Sequence, residues 1–218
     1  MALIRQVTDP SVRRRLQGLP QKLFREAQRE NTSLHKAAVK AQMAVALEIL
    51  LLAPMRVGNL CSLSLTEHLT RPGGLNGPFH ISIPDNEVKN SVQFEYPLPK
   101  NSSDLIAKYV SDFRHFLKGS DSDWLFPGER GHKQPRTMSQ QLSKVIYNEV
   151  GISMTPHQAR HAAAAWLLES DPGNYELVRR LLAHKSLATT TRFYVGLESV
   201  SAAKQYADLI TRQREENQ

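Results

Sequence analysis

Apolar residues recur at helical spacing along most of this chain and alternate with polar ones in only one stretch. Val39, Met43, Leu47 and Leu50 make one stripe, which predicts a helix starting near Thr32 or Ser33, both suitable N-caps. Pro54 ends or restarts it, and Arg56 opens a short helix with Leu60 and Leu63 on its buried side. Residues 79–83 and 92–96 alternate as half-buried strands do, around the turn residues Pro84, Asp85 and Asn86. Lys89 therefore falls in or beside a hairpin turn. A further strand is expected within residues 64–70, followed by a loop at Pro72, Gly73 and Gly74.

The remainder reads as helix. One helix spans about Ser103 to Leu117 and stops at Gly119. The segments 137–140 and 155–158 both match a capping box, and they start helices running to about Val150 and Glu169. After a loop at 171–173 come helices at about 175–183 and 187–194, with Gly196 as a stop, and a last helix from about Ser199 to Arg212. The expected fold is mainly α with a small antiparallel β-sheet (α+β). Residues 1–31, with Arg13 to Arg15, two prolines, Lys22, Arg25 and Arg29, read as a basic arm or linker with some helix, outside the main core. That leaves 32–198 as the main domain and 199–218 as a C-terminal helix and tail.

Composition narrows the function. With 218 residues, 40% of them hydrophobic, the chain can bury a real core. A formal charge of +7 favours polyanionic partners, nucleic acid first. Cys61 is the only cysteine, so an internal disulfide and a cysteine-based zinc site are excluded. The longest apolar stretch, 49–54, is too short to span a membrane, and no signal peptide is read, so a cytoplasmic protein without membrane attachment is expected.

His157 and Arg160 lie three apart at a helix start, so they share a face beside exposed N–H groups and a positive dipole end. That suits a phosphate clamp, although the pair fits a histidine beside a solvated arginine equally well. His157 and His161 also have the spacing of two zinc ligands. Gln158 stands where a metalloprotease needs its glutamate, however, and Arg160 would repel a cation, so a packed structural role suits His161 better. His184 ends one helix and Tyr194 ends the next. Spacing alone would not choose Tyr194 from six tyrosines.

Several segments together resemble the tyrosine recombinases of the phage-integrase type. They are Thr155-Pro-His-Gln-Ala-Arg-His161, Leu181-Leu-Ala-His-Lys-Ser186 and Thr190-Thr-Arg-Phe-Tyr194. Ala53-Pro-Met-Arg-Val-Gly-Asn-Leu60 resembles the family's first arginine box, and Lys89-Asn90 with Tyr96-Pro-Leu-Pro99 its hairpin lysine. The resemblance covers roughly residues 32–198. It implies a metal- and ATP-independent DNA strand transferase without cofactor, in which Tyr194 attacks a phosphodiester to leave a 3′-phosphotyrosine. Arg56 and Arg160 would neutralise the phosphate oxygens and Lys89 would protonate the leaving 5′-oxygen. His157 could accept the tyrosine proton, while His184 would hydrogen-bond the phosphate. Double-stranded DNA is the implied partner, with self-association into a tetramer on two sites. Lys133 and Arg136 are candidate DNA-backbone contacts. A type IB topoisomerase or a catalytically impaired DNA-binding regulator are the rival readings. Two positions depart from the family: Asn59 replaces a usual acidic residue, and Ala183 replaces a common glycine.

Overall fold

The computed structural model describes residues 2–74, 77–88 and 93–216, with several positions given by backbone alone, among them 192–202. Lys89 lies outside the described residues, and so does the side chain of Tyr194. The helices are α1 (Ala2–Thr8), α2 (Pro10–Arg29), α3 (Leu34–Leu52), α4 (Val57–Cys61), α5 (Lys100–Asp112), α6 (Pro135–Val150), α7 (Pro156–Ser170), α8 (Tyr175–Leu181) and α9 (Leu187–Glu216). Strands β1 (Leu69–Thr70), β2 (His80–Ile83) and β3 (Phe94–Pro97) form an antiparallel sheet in that order. Its register pairs Leu69 with Ile81, and Ser82 with Glu95. Strands β4 (Pro127–Gly128) and β5 (Gly131–His132) make a small separate hairpin. The fold is mainly helical with small antiparallel sheets, as expected.

α3 is the central helix: every residue from Ala41 to Leu50 is buried, including the polar Gln42 and Glu48. Ser33 caps its start by accepting from the Lys36 N–H at 3.3 Å, and the chain leaves the helix before Pro54. α5 lays Leu105, Ile106 and Tyr109 into the same core, and the Tyr109 hydroxyl donates to Leu125 O at 3.1 Å. Glu48 accepts from Ser102 Oγ at 2.5 Å and Gln21 Nε2 at 3.0 Å, so these polar groups of the core find partners.

Residues 2–31 are not an arm outside the core. Asp9 caps α2 by accepting from the N–H groups of Ser11 at 2.9 Å and Val12 at 3.1 Å. Leu16, Leu19, Pro20, Leu23, Phe24 and Ala27 then bury one face of α2 in the core that also holds α3. Both prolines that suggested a linker have helical places: Pro10 opens α2, where its missing N–H is not needed, and Pro20 lies inside the helix with its ring buried. α1 is fastened too, because Val7 is fully buried and the Trp166 indole donates to its carbonyl at 2.8 Å.

Three further expectations need correction, and one element was not expected. The helix read to Leu117 ends at Asp112 and passes into a 3₁₀ turn, Arg114–Phe116. There Arg114, 7% exposed, donates to the carbonyls of Ser120, Ser122 and Trp124 and so folds the next loop around itself. Thr137 is not a cap; Pro135 starts α6 two residues earlier and leaves Thr137 in its first turn. Gly196 does not stop a helix, and α9 runs through it; one glycine weakens a helix by only about 1 kcal/mol relative to alanine. The hairpin β4–β5 was missed, because two-residue strands show no alternation.

Candidate active site

Arg56 is the N-cap of α4, held in extended backbone (φ −70°, ψ 146°) after Pro54 and Met55. His157 and Arg160 lie in the first turn and a half of α7. Its capping box is complete: the Thr155 hydroxyl accepts from the Gln158 N–H, and the Thr155 N–H donates to Gln158 Oε1 at 2.8 Å. His184 follows α8, and its backbone N–H donates to Arg179 O at 2.9 Å. The structure therefore brings the ends of three helices to one place.

Arg160 joins them. It is 3% exposed, and its two terminal nitrogens donate to backbone carbonyls, Nη1 to Pro54 O and Nη2 to Leu182 O, the latter at 2.6 Å. Each acceptor lies two residues before a site residue, Arg56 in one case and His184 in the other. The planar guanidinium meets the two acceptors from two separate nitrogens in a fixed fork, whereas an ammonium would have to serve both from one flexible point. Tyr96 on β3 adds a third tie, its hydroxyl donating to Leu181 O at 2.5 Å. Burial pushes that phenol's pKa well above its ordinary value, so it stays a neutral donor. Thr190, fully buried in α9, places Oγ1 2.9 Å from His184 Nδ1. Sequence reasoning did not single out Tyr96 or Thr190 individually, since neither bond can be seen without the fold.

The electrostatics agree with this clustering. Burial, with the cations Arg160 and Arg56 next in weight, pushes the His184 pKa down to about 4. His157 is lowered by the same causes in the same order, and His161 by burial, His157 and Arg160. All three imidazoles are therefore neutral at pH 7. The rings of His157 and His161 meet edge to face at 5.3 Å. Arg56 Nη1 is buried without a protein acceptor, and so is Asn59 Nδ2 one turn on. Arg56 and Arg160 both act on His157 and His184, so a buried donor lacking a protein acceptor shares this corner with a second guanidinium, an environment that favours an anion.

Two expected contacts fare differently. Lys133 does not present its charge to solvent: its amine turns inward to Gln42 Oε1, and burial lowers its pKa to about 8. Arg136 is exposed at the start of α6, as a backbone contact would require. Among the described residues no group of three or more His, Cys, Asp or Glu is placed to hold a metal, and no helix is long and apolar enough to cross a membrane. Tyr194 falls within α9, one helical turn beyond Thr190.

The sequence pattern of the phage integrase family matches residues 21–199, and the chain belongs to that family. It is 31% identical over 150 residues to the tyrosine recombinase XerD of Oceanobacillus iheyensis, covering 66% of this chain and 46% of that protein. Over 198 residues it is 26% identical to the tyrosine recombinase XerA of Thermococcus kodakarensis, covering 89% of this chain and 65% of the relative. In structure it is similar to the XerH site-specific recombinase bound to palindromic difH substrate, with a TM-score of 0.62 at 19% identity over 86% of this chain and 51% of that one. A crystal structure of XerA recombinase gives 0.57 at 21% identity, over 87% of this chain and 62% of that one. These structural likenesses support the fold. The chain spans about half the length of the XerD relative.

Proposed function

We propose that the chain is the catalytic part of a site-specific DNA recombinase acting on double-stranded DNA. The observation that carries this reading is the convergence of Arg56, His157, Arg160 and His184, with Arg56 Nη1 buried and lacking a protein acceptor. A phosphodiester bound there would accept from Arg56 directly and sit within the field of Arg160. Tyr194 attacks the phosphorus, its phenolic proton passing to His157, and the P–O bond to the 5′-oxygen breaks as Lys89 protonates that oxygen. The products are a 3′-phosphotyrosine and a free 5′-hydroxyl. Because one phosphodiester replaces another, a second 5′-hydroxyl can reverse the step and exchange strands without ATP.

The neutral state of His157 lets it accept a proton near pH 7, and neutral His184 can donate one hydrogen bond to the phosphate. The arginines stabilise charge developing on the non-bridging oxygens. Recombination would require four protomers on two sites, with residues 32–198 supplying the chemistry and 199–218 contacting a neighbour. Arg136 would meet the DNA backbone. A cytoplasmic, nucleoid-associated location follows from that partner.

The test uses a nicked duplex selected from a randomised pool by covalent capture on the native chain. Arg56→Ala should lower adduct formation about 10²–10³-fold, the usual consequence of removing one preorganised donor, with DNA affinity reduced far less. Adduct at the native rate in that variant would refute the assignment of the phosphate to this site. Lys89→Ala should slow cleavage of ordinary DNA but not of DNA with a 5′-thio leaving group, which needs little protonation. Equal loss on both substrates would argue against the acid role.

A further inference from the structure

α8 ends in a turn that glycine usually makes. Leu182 caps the helix and Ala183 takes φ +45°, unlike every other non-glycine residue among those described. The N–H of Ala183 donates to Arg180 O at 3.0 Å and that of His184 to Arg179 O at 2.9 Å. Those two bonds define a Schellman cap, in which an L side chain at the left-handed position crowds the following carbonyl. A hydrophobic contact between the third-from-last helical residue and the residue after the turn commonly completes the motif. Here those two residues are Arg179 and His184.

Their contact is polar instead. Arg179 Nη1 donates to His184 O at 3.0 Å. The other edge of the guanidinium grips both carboxylate oxygens of Glu176, Nε to Oε2 and Nη2 to Oε1, each at 2.7 Å. Glu176 also accepts from Arg180 Nε at 2.9 Å, and the two arginines hold its carboxyl down at about 2. Bidentate geometry gives this pair a fixed direction that a single exposed ion pair lacks. The His184 backbone is thus closed from the carbonyl side by Arg179, while Thr190 holds its ring at Nδ1.

We propose that Arg179, aimed by Glu176, is a positioning residue for His184, holding in place a left-handed turn that Ala183 makes less readily than glycine. The proposal rests on the reading of His184 as the residue that contacts the phosphate. It explains how the departure from glycine at 183 is compatible with an ordered site: the clamp supplies what the alanine lacks.

The first readout needs no DNA. In the full chain, nitrogen-15 NMR of the His184 imidazole gives its titration midpoint and its Nδ1 hydrogen bond. Arg179→Ala should loosen the Thr190 contact and move the midpoint up toward the ordinary histidine value. Losing a cation would raise it too, so the decisive variant adds Ala183→Gly. Glycine restores no charge but takes the left-handed turn unaided, and it should return the midpoint to its native position. A midpoint that stays high in the double variant would overturn the proposal, leaving Arg179 as a charge only.

The second readout is adduct formation on the selected duplex, at a temperature where melting curves show every variant folded. Arg179→Ala should slow it by about tenfold, the scale of a small misplacement of one catalytic group, and Ala183→Gly should restore most of the loss. In a His184→Ala background, removing Arg179 should cost little more. Additive losses would overturn the proposal while leaving His184 in its role. No loss in His184→Ala alone would refute the underlying reading, and the proposal with it.

Discussion

Three imidazoles, those of His157, His161 and His184, share one corner with two arginines, and all three resist protonation there. In the unfolded chain each returns to a pKa of about 6.5. As pH falls through that value the unfolded chain binds protons that the folded chain refuses, down to about 4 at His184. Stability should therefore be fully present above about pH 6.5 and decline as pH falls toward 4. Thermal melts at pH 7, 6 and 5 should show a falling midpoint, and His184→Gln should flatten part of the slope. A midpoint that holds steady or rises from pH 7 to 5 would contradict the neutral assignment. Arg160 makes the complementary case. Arg160→Lys, whose donors all radiate from one nitrogen, should meet the buried carbonyls of Pro54 and Leu182 less well and destabilise the fold by about 1–3 kcal/mol as well as slow cleavage. A chemical-denaturation midpoint at the native value would show that the two carbonyl bonds carry no weight. The identity of Arg160 was legible in its box, but its bonds to positions 106 and 22 residues away were not, because they exist only once α4, α7 and α8 meet.

At the scale of elements, local signals were read well where the chemistry is local. Ser33 and Thr155 cap the helices they were expected to cap, and Arg56 opens α4. The β2–β3 pairing follows the alternation of apolar residues on either side of Pro84. Thr137 failed because two signals competed, and Pro135 at the first helical position won. Some helix was legible in the first 31 residues, but the burial of α2 was not, because its charges and prolines outweighed the stripe Leu16, Leu19, Leu23, Phe24 and Ala27, which only packing against α3 reveals. Leu19→Ala or Leu23→Ala should destabilise the protein by about 2–5 kcal/mol, the range for a truncated core leucine. Removing residues 1–29 should leave the apolar face of α3 open and the remainder prone to aggregate. A truncated chain that stays monomeric with an unchanged melting curve would return this segment to the status of an arm.

At the scale of the whole molecule, sequence and fold converge on one proposal through separate routes. The net charge of +7 points to a polyanion but not to a reaction. The fold gathers the boxes, which lie more than a hundred residues apart from Arg56 to Arg160, into one donor-rich point. Affinity for duplex DNA should fall steeply with salt, by counterion release from each neutralised phosphate; Arg136→Ala should reduce that slope by about one unit, whereas Lys133→Ala, whose amine faces Gln42, should leave it unchanged. An unchanged slope in Arg136→Ala would remove that residue from the interface. In the proposed reaction Tyr194 becomes covalently joined to DNA. Trapping the chain on the selected nicked duplex and mapping the modified peptide by mass spectrometry tests it most directly. A nucleotide should be found linked through phosphate to Tyr194, and Tyr194→Phe should give no adduct despite retained DNA binding. A nucleotide on any other residue, or an adduct of normal yield from Tyr194→Phe, would contradict it.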